Sequence, residues 1–174
     1  MRYITNEDEI HTADKYIEEA KKAAKNSTCN RAKCGAVIVK NHEIIGIGFN
    51  SPPGNDEKER RCEIKKDEFN QKVTDKTCCV HAEQRAIMDA LRRNPEKING
   101  SKLYFARFYP DGRQRFTGES EKVQLYCTIC TKMMFDVGIA EFILPHANGI
   151  GAYAKDEYLK RSFGYGQYEA GEIS

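Results

Sequence analysis

Apolar positions along this chain fall into two spacings, one of three and four residues and one of short unbroken runs. Ile10, Ala13, Ile17, Ala20 and Ala24 recur at helical steps and predict a first helix of about four turns. Asn6 or Thr5 can cap it, and Asn6 with Glu9 approximates a capping box. Acidic residues crowd its start and Lys21, Lys22 and Lys25 its end, which suits the helix dipole. Two runs rich in β-branched residues follow, 36–39 and 43–49. Residues 40–42 lie between them as a turn, so the pair predicts a hairpin. A polar, irregular stretch then extends to about Thr77. A connection of that length in a compact domain is functional or loosely ordered.

Helical spacing returns near His81 and runs through Ala82, Ala86, Ile87, Ala90 and Leu91, ending before Pro95 and Asn99-Gly100. Residues 102–109 read as a strand, and Asp111-Gly112 turns the chain toward a second hairpin arm at 113–117. A third helix starts near Cys127 and stops at Gly138. Residues 141–144 form a short strand, 155–162 a last helix, and 164–174 a loose tail. Strands separated by helices favour parallel pairing, whereas the first two pair antiparallel. The expected fold is α/β, a three-layer α-β-α sandwich with a mixed five-stranded sheet and helices on both faces. Residues 1–174 are expected to form a single domain.

Composition narrows the classes. The 174 residues carry 28 Lys+Arg against 26 Asp+Glu, a net charge of +2, with 40% hydrophobic and 31% charged residues. That balance argues against a generally basic nucleic-acid binder and favours small substrates. No apolar run approaches a membrane span of about 20 residues. The polar, acidic start lacks the apolar stretch of a secretory signal, so a cytoplasmic location is expected. Seven cysteines, an odd number, then point to thiols or metal ligands rather than a disulfide framework.

Two motifs carry the candidate chemistry, His81-Ala82-Glu83 and Cys127-x-x-Cys130. Neither is specific alone, but each falls at the start of a predicted helix. Cys127 and Cys130 would share one helix face, where free N–H groups favour thiolate, the form that binds zinc. With His81 they make a three-ligand set that leaves a fourth tetrahedral position open, as catalytic zinc sites do. Glu83 could then move protons of an activated water. Three readings stay open on the residues alone. The site is catalytic and open, or it is closed and structural with Cys62 or Cys79 as fourth ligand, or the Cys-x-x-Cys is redox-active.

The zinc-type motifs, taken with Cys29-Asn-Arg31 before 35–39, Gly48-Phe-Asn50-Ser-Pro52 and Val80-His-Ala-Glu-Gln-Arg-Ala-Ile87, resemble the cytidine deaminase superfamily, in particular its deoxycytidylate (dCMP) deaminase-like branch. The likeness spans about residues 10 to 145. It implies Zn2+ held by His81, Cys127 and Cys130, and Glu83 as the proton shuttle. It also implies hydrolytic attack at C4 of a cytosine-bearing nucleotide or nucleoside, with dCMP to dUMP as the leading case. Asn50 and the backbone of Ala82 would contact the substrate, and Arg31 is a candidate for its phosphate. A homo-oligomer is expected.

Other readings are deamination of a base in RNA or DNA, or of a purine, and a non-catalytic zinc-stabilised binding module. Arg107, Arg113 and Arg115, interleaved with Tyr104, Phe105, Phe108, Tyr109 and Phe116, either line a nucleic-acid groove or form an ordinary hairpin with one wet face. Tyr126 stands where the family usually has proline. Cys62, Cys78 and Cys79 hold a second metal or remain buried free thiols.

Overall fold

The structure is a computed structural model and describes residues 1–73, 75–118 and 127–164. The elements run β1 (Arg2–Tyr3), α1 (Glu7–Ala24), β2 (Lys33–Lys40), β3 (Glu43–Phe49), α2 (Ala82–Arg93), β4 (Lys102–Phe108), α3 (Thr128–Asp136), β5 (Glu141–His146), β6 (Gly149–Ala154) and α4 (Lys155–Phe163). They build one sheet in the order β1-β6-β5-β4-β2-β3. Tyr126 and the tail at 165–174 lie outside the described residues.

The three-layer expectation holds, with six strands among the described residues instead of five. The arm at 113–117 forms no strand. It makes a single antiparallel bridge, Phe108 to Gln114, beside the hydrogen bonds Tyr109 N–H to Arg113 O and Arg115 N–H to Arg107 O. Two strands the apolar pattern missed replace it, β1 and β6. β6 is poor in β-branched residues, and its register with β5 sets His146 opposite Gly149, which leaves Ala147-Asn148 as the two-residue turn between them.

Pairing is also less parallel than expected. Among the described residues the one parallel pairing is β4 with β5, linked through α3; β2 pairs antiparallel with both β3 and β4. The α2 crossover does make β3 and β4 parallel in direction, but β2 lies between them. Alternation along β2 divides the core. Ala36 and Ile38 face α2, α3 and α4, while Val37 and Val39 face α1. On the first face Phe142 stacks on Tyr158 with ring centroids 4.3 Å apart.

Helix starts follow the capping logic of the sequence. Asn6 Oδ1 accepts the Glu9 N–H at 3.1 Å and begins α1. Gln84 Oε1 accepts the His81 N–H at 2.9 Å and fixes the entry to α2. Close approach of α2 to β3 depends on Gly46 and Gly48. A Cβ on Gly48 would stand 2.1 Å from the Ala82 carbonyl oxygen, and one on Gly46 2.4 Å from that of Ala86. No helix among the described residues is long and apolar enough to cross a membrane.

Candidate metal centre and its cavity

The starts of α2 and α3 meet beside the carboxyl ends of β3 and β4, the edge where open α/β sheets commonly hold ligands. His81 precedes α2 and Cys127 precedes α3, so their side chains leave the backbone just before each helix closes its first turn. His81 Nδ1 lies 3.2 Å from Cys130 Sγ and 3.4 Å from Cys127 Sγ. A tetrahedral zinc ion with ordinary bond lengths sets its nitrogen and sulfur ligands about 3.5 Å apart. These three residues therefore fit zinc without rearrangement of the backbone.

Their ionisation leans the same way. Hydrogen bonds from Cys130 and His81 pull the Cys127 thiol down to about 4, while burial opposes them. The hydrogen bond to Cys127 raises the His81 imidazole to about 9. Cys130 is pushed up by its bond with Cys127 and by burial.

Glu83 lies on the first turn of α2, only 4% exposed and within hydrogen-bonding reach of Cys130. Burial raises its carboxyl above the usual range, with the His81 ring opposing. Such a carboxyl is suited to carrying a proton rather than a standing charge.

This cluster opens into a cavity of about 230 Å³. Asn50, Ala82 and Arg31, the three expected substrate contacts, all line it. Asn50 is largely committed to the fold. Its Oδ1 accepts from Cys34 N–H at 2.8 Å and Ser27 Oγ at 2.7 Å, and its Nδ2 donates to Ala32 O at 2.9 Å. One N–H of the amide is left to face a ligand. Arg31 is exposed and donates to the Cys62 carbonyl at 3.1 Å.

Of the arginines and aromatics between 104 and 116, only Phe105 and Arg107 enter the cavity wall. Tyr104 turns to the α1 face, and Arg113 and Arg115 sit over the Tyr109 ring. Arg107 Nε is buried without a hydrogen-bond partner among the described residues. The pattern missed the cations of the long connection. Arg61, Lys66 and Lys76 reach the same cavity, and Glu83 is the one acid among its described lining residues. Charge density in that connection was the available signal. Cys62 and Cys79 do not join His81 as a fourth ligand; they gather with Cys78 elsewhere on the wall.

This α/β sandwich brings one histidine and two cysteines to paired helix starts, with a buried carboxyl beside them, a donor set of the kind that holds zinc. The chain belongs to the family described as the cytidine and deoxycytidylate deaminase zinc-binding region, which matches residues 10–145. The matched part is the family's zinc-binding region, and zinc is the cofactor such a donor set takes.

A curated deoxycytidylate deaminase of Schizosaccharomyces pombe is 25% identical over 133 residues, covering 74% of this chain. The chain spans 35% of the length of that relative. The dCMP deaminase of cyanophage S-TIM5, solved in complex with dCMP and dUMP, shares the fold. Its TM-score is 0.50 at 24% identity, over 80% of this chain and 82% of that one.

Proposed function

We propose that the chain catalyses hydrolytic deamination of a cytosine-bearing nucleotide, dCMP to dUMP first among them. In this reading His81, Cys127 and Cys130 hold zinc and Glu83 is the proton shuttle. The observation that carries it is the pairing of a buried carboxyl with a three-ligand cluster beneath a cavity lined by five cations, Arg31, Arg61, Lys66, Lys76 and Arg107. Several cations with a single acid suit a phosphate-bearing substrate better than a free base or nucleoside. The relatives named as dCMP deaminases support the same choice.

Bound at the cluster, zinc would supply Lewis acidity and bring the pKa of a coordinated water down toward about 7. The chain's own residues do the rest. Glu83, kept dry by α2 and the sheet, takes a proton from the attacking water on its carboxylate and passes it to ring nitrogen N3. It takes the second proton and delivers it to the exocyclic nitrogen, which leaves as ammonia while the C4 oxygen becomes the carbonyl of uracil. Ala82 opens α2 at the cavity wall and offers backbone to the pyrimidine edge. The remaining N–H of Asn50 orients the sugar or base.

The test is ammonia release from cytosine, cytidine, deoxycytidine, CMP, dCMP and single-stranded oligonucleotides, run beside Glu83→Gln. We expect dCMP to be turned over fastest. Glu83→Gln should lose about 10³-fold in kcat while keeping its zinc. Turnover of oligonucleotides alone would replace the nucleotide reading, and undiminished activity of Glu83→Gln would remove the shuttle.

A further inference from the structure

Arg107, in the cavity wall, has a second guanidinium as its neighbour. The bridge from Phe108 to Gln114, with the bonds Arg115 N–H to Arg107 O and Tyr109 N–H to Arg113 O, sets Arg115 directly opposite Arg107. On the other side of β4, the partner of Arg107 is Cys34 of β2. Cys34, Arg107 and Arg115 therefore form one row across three extended segments, and their side chains leave the same face of the sheet. That face carries α2 and α3, because Leu103 and Phe105, in step with Arg107 along β4, pack there. Burial raises the Cys34 thiol, and the charges of both Arg107 and Arg115 oppose it, which agrees with two guanidiniums on the cavity side.

Like charges directly opposite one another on neighbouring strands destabilise a sheet. Arg113 of the same arm shows how such a charge is settled, since Asp111 holds it at 2.8 Å. Among the described residues no carboxylate pairs with Arg107 or Arg115, and the Nε of each is buried without a hydrogen-bond partner. Nor can the arm swing the second arginine away. Thr117 bridges to His146 at the end of β5 and its N–H is bonded to Pro145 O, so the backbone is fastened on both sides of Arg115. Two guanidiniums held side by side with open donors call for an anion of more than one charge. Arg31, by contrast, is exposed and spends a donor on the Cys62 carbonyl at 3.1 Å.

We propose that Arg107 and Arg115 form a two-guanidinium clamp for a terminal phosphate, and so select a nucleoside monophosphate over a nucleoside or a nucleotide inside a polynucleotide. A phosphomonoester carries a charge of about −1.5 to −2 near pH 7 and three acceptor oxygens, enough to engage both forks. An internal phosphodiester carries about one charge and leaves one guanidinium unmatched. The return arm after β4 then has a stated use, which is to bring Arg115 back beside Arg107. The choice of a nucleotide as bearer of the phosphate rests on the deamination reading; the clamp itself needs only the anion.

Calorimetric titration of the zinc-loaded full chain with dUMP, deoxyuridine and the 5′-methyl ester of dUMP tests it. We expect dUMP to bind about 10²-fold tighter than either of the others. Arg107→Gln and Arg115→Gln should each lose about 30-fold in affinity for dUMP and less than about 3-fold for deoxyuridine, while Arg113→Gln changes neither. Equal losses for dUMP and deoxyuridine, a methyl ester that binds as tightly as dUMP, or no binding of dUMP overturns the clamp. Should Arg115→Gln fail to fold, the three ligands on the unmodified chain decide. A preference for dUMP over its methyl ester that fades below about pH 6, where the monoester loses its second charge, supports the clamp, and no preference refutes it. Ammonia release separates this from the deamination reading. Arginine-dependent binding of dUMP in a chain that releases no ammonia from dCMP overturns deamination and leaves the clamp standing. Release from dCMP with dUMP affinity indifferent to both arginines overturns the clamp alone.

Discussion

The two sides of the cavity are built by different physics. One side, carrying His81, Glu83, Cys127 and Cys130, consists of helix starts seated on the sheet, and its backbone is fixed by the core of Ile38, Ile87, Met134 and their neighbours. The other side, the connection 52–79, has two single-turn 3-10 segments as its regular structure among the described residues and takes its shape from local bonds. Arg60 ties Glu57 and Thr28, Arg61 ties Glu59, and Cys62 gathers with Cys78 and Cys79. The difference teaches that reactive groups needing fixed distances lie on elements braced by core packing. The cations Arg61, Lys66 and Lys76 lie on a stretch held by polar contacts.

The largest expected effect comes from disturbing the seat of the braced side. In Gly48→Ala the new methyl would meet the Ala82 carbonyl at 2.1 Å and the Ala86 nitrogen at 2.4 Å, both main-chain atoms of α2. Neither can yield without moving the helix that carries Glu83. We expect a loss of about 3 kcal/mol in urea unfolding and weaker zinc retention. A loss below about 0.5 kcal/mol would mean that α2 is not seated as tightly as the geometry requires.

Asn50 ties the end of β3 to β2 and to the segment before it, and its replacement gives the next largest effect. Asn50→Ala removes the acceptor for Cys34 N–H and Ser27 Oγ and the donor to Ala32 O, all in a residue that is 7% exposed. Leaving a buried main-chain N–H without a partner predicts a loss of about 2 kcal/mol. Ser27 Oγ also accepts the Cys29 N–H at 3.2 Å, so the same change loosens the segment bearing Cys29. KM for dCMP should therefore rise more than kcat falls. An equal change in both, with stability intact, would make Asn50 a substrate contact and nothing more.

What the sequence discloses follows the same division. α1, α2, α3 and their starts are readable because periodicity and capping act over a few residues, and the spacing of Cys127 and Cys130 marks one helix face. His81 stands 46 and 49 residues before those cysteines in sequence, and only the shared motif pattern hints at their approach. β6 escaped because its glycines and alanines lack the β-branched signature. β1 is two residues long, paired at Arg2–Ala152 and Tyr3–Gly151, and no local pattern distinguishes it. The placement of Arg61, Lys66 and Lys76 depends on how an irregular stretch folds back, which periodicity does not encode.

The smallest effect should come from the same kind of substitution on the loosely built side. Gly54 adopts φ +66°, a left-handed backbone, and no atom lies within 4 Å of where its Cβ would stand. Gly54→Ala therefore meets only the conformational cost of about 1 kcal/mol, with no steric term. If the connection opens without unfolding the sheet, even that cost falls mainly on the local equilibrium, and global unfolding shifts by less. Zinc at His81, Cys127 and Cys130 should be retained in full. A destabilisation as large as that of Gly48→Ala would show that the connection is as integral to the core as the helices opposite it, and the contrast between the two sides would fail.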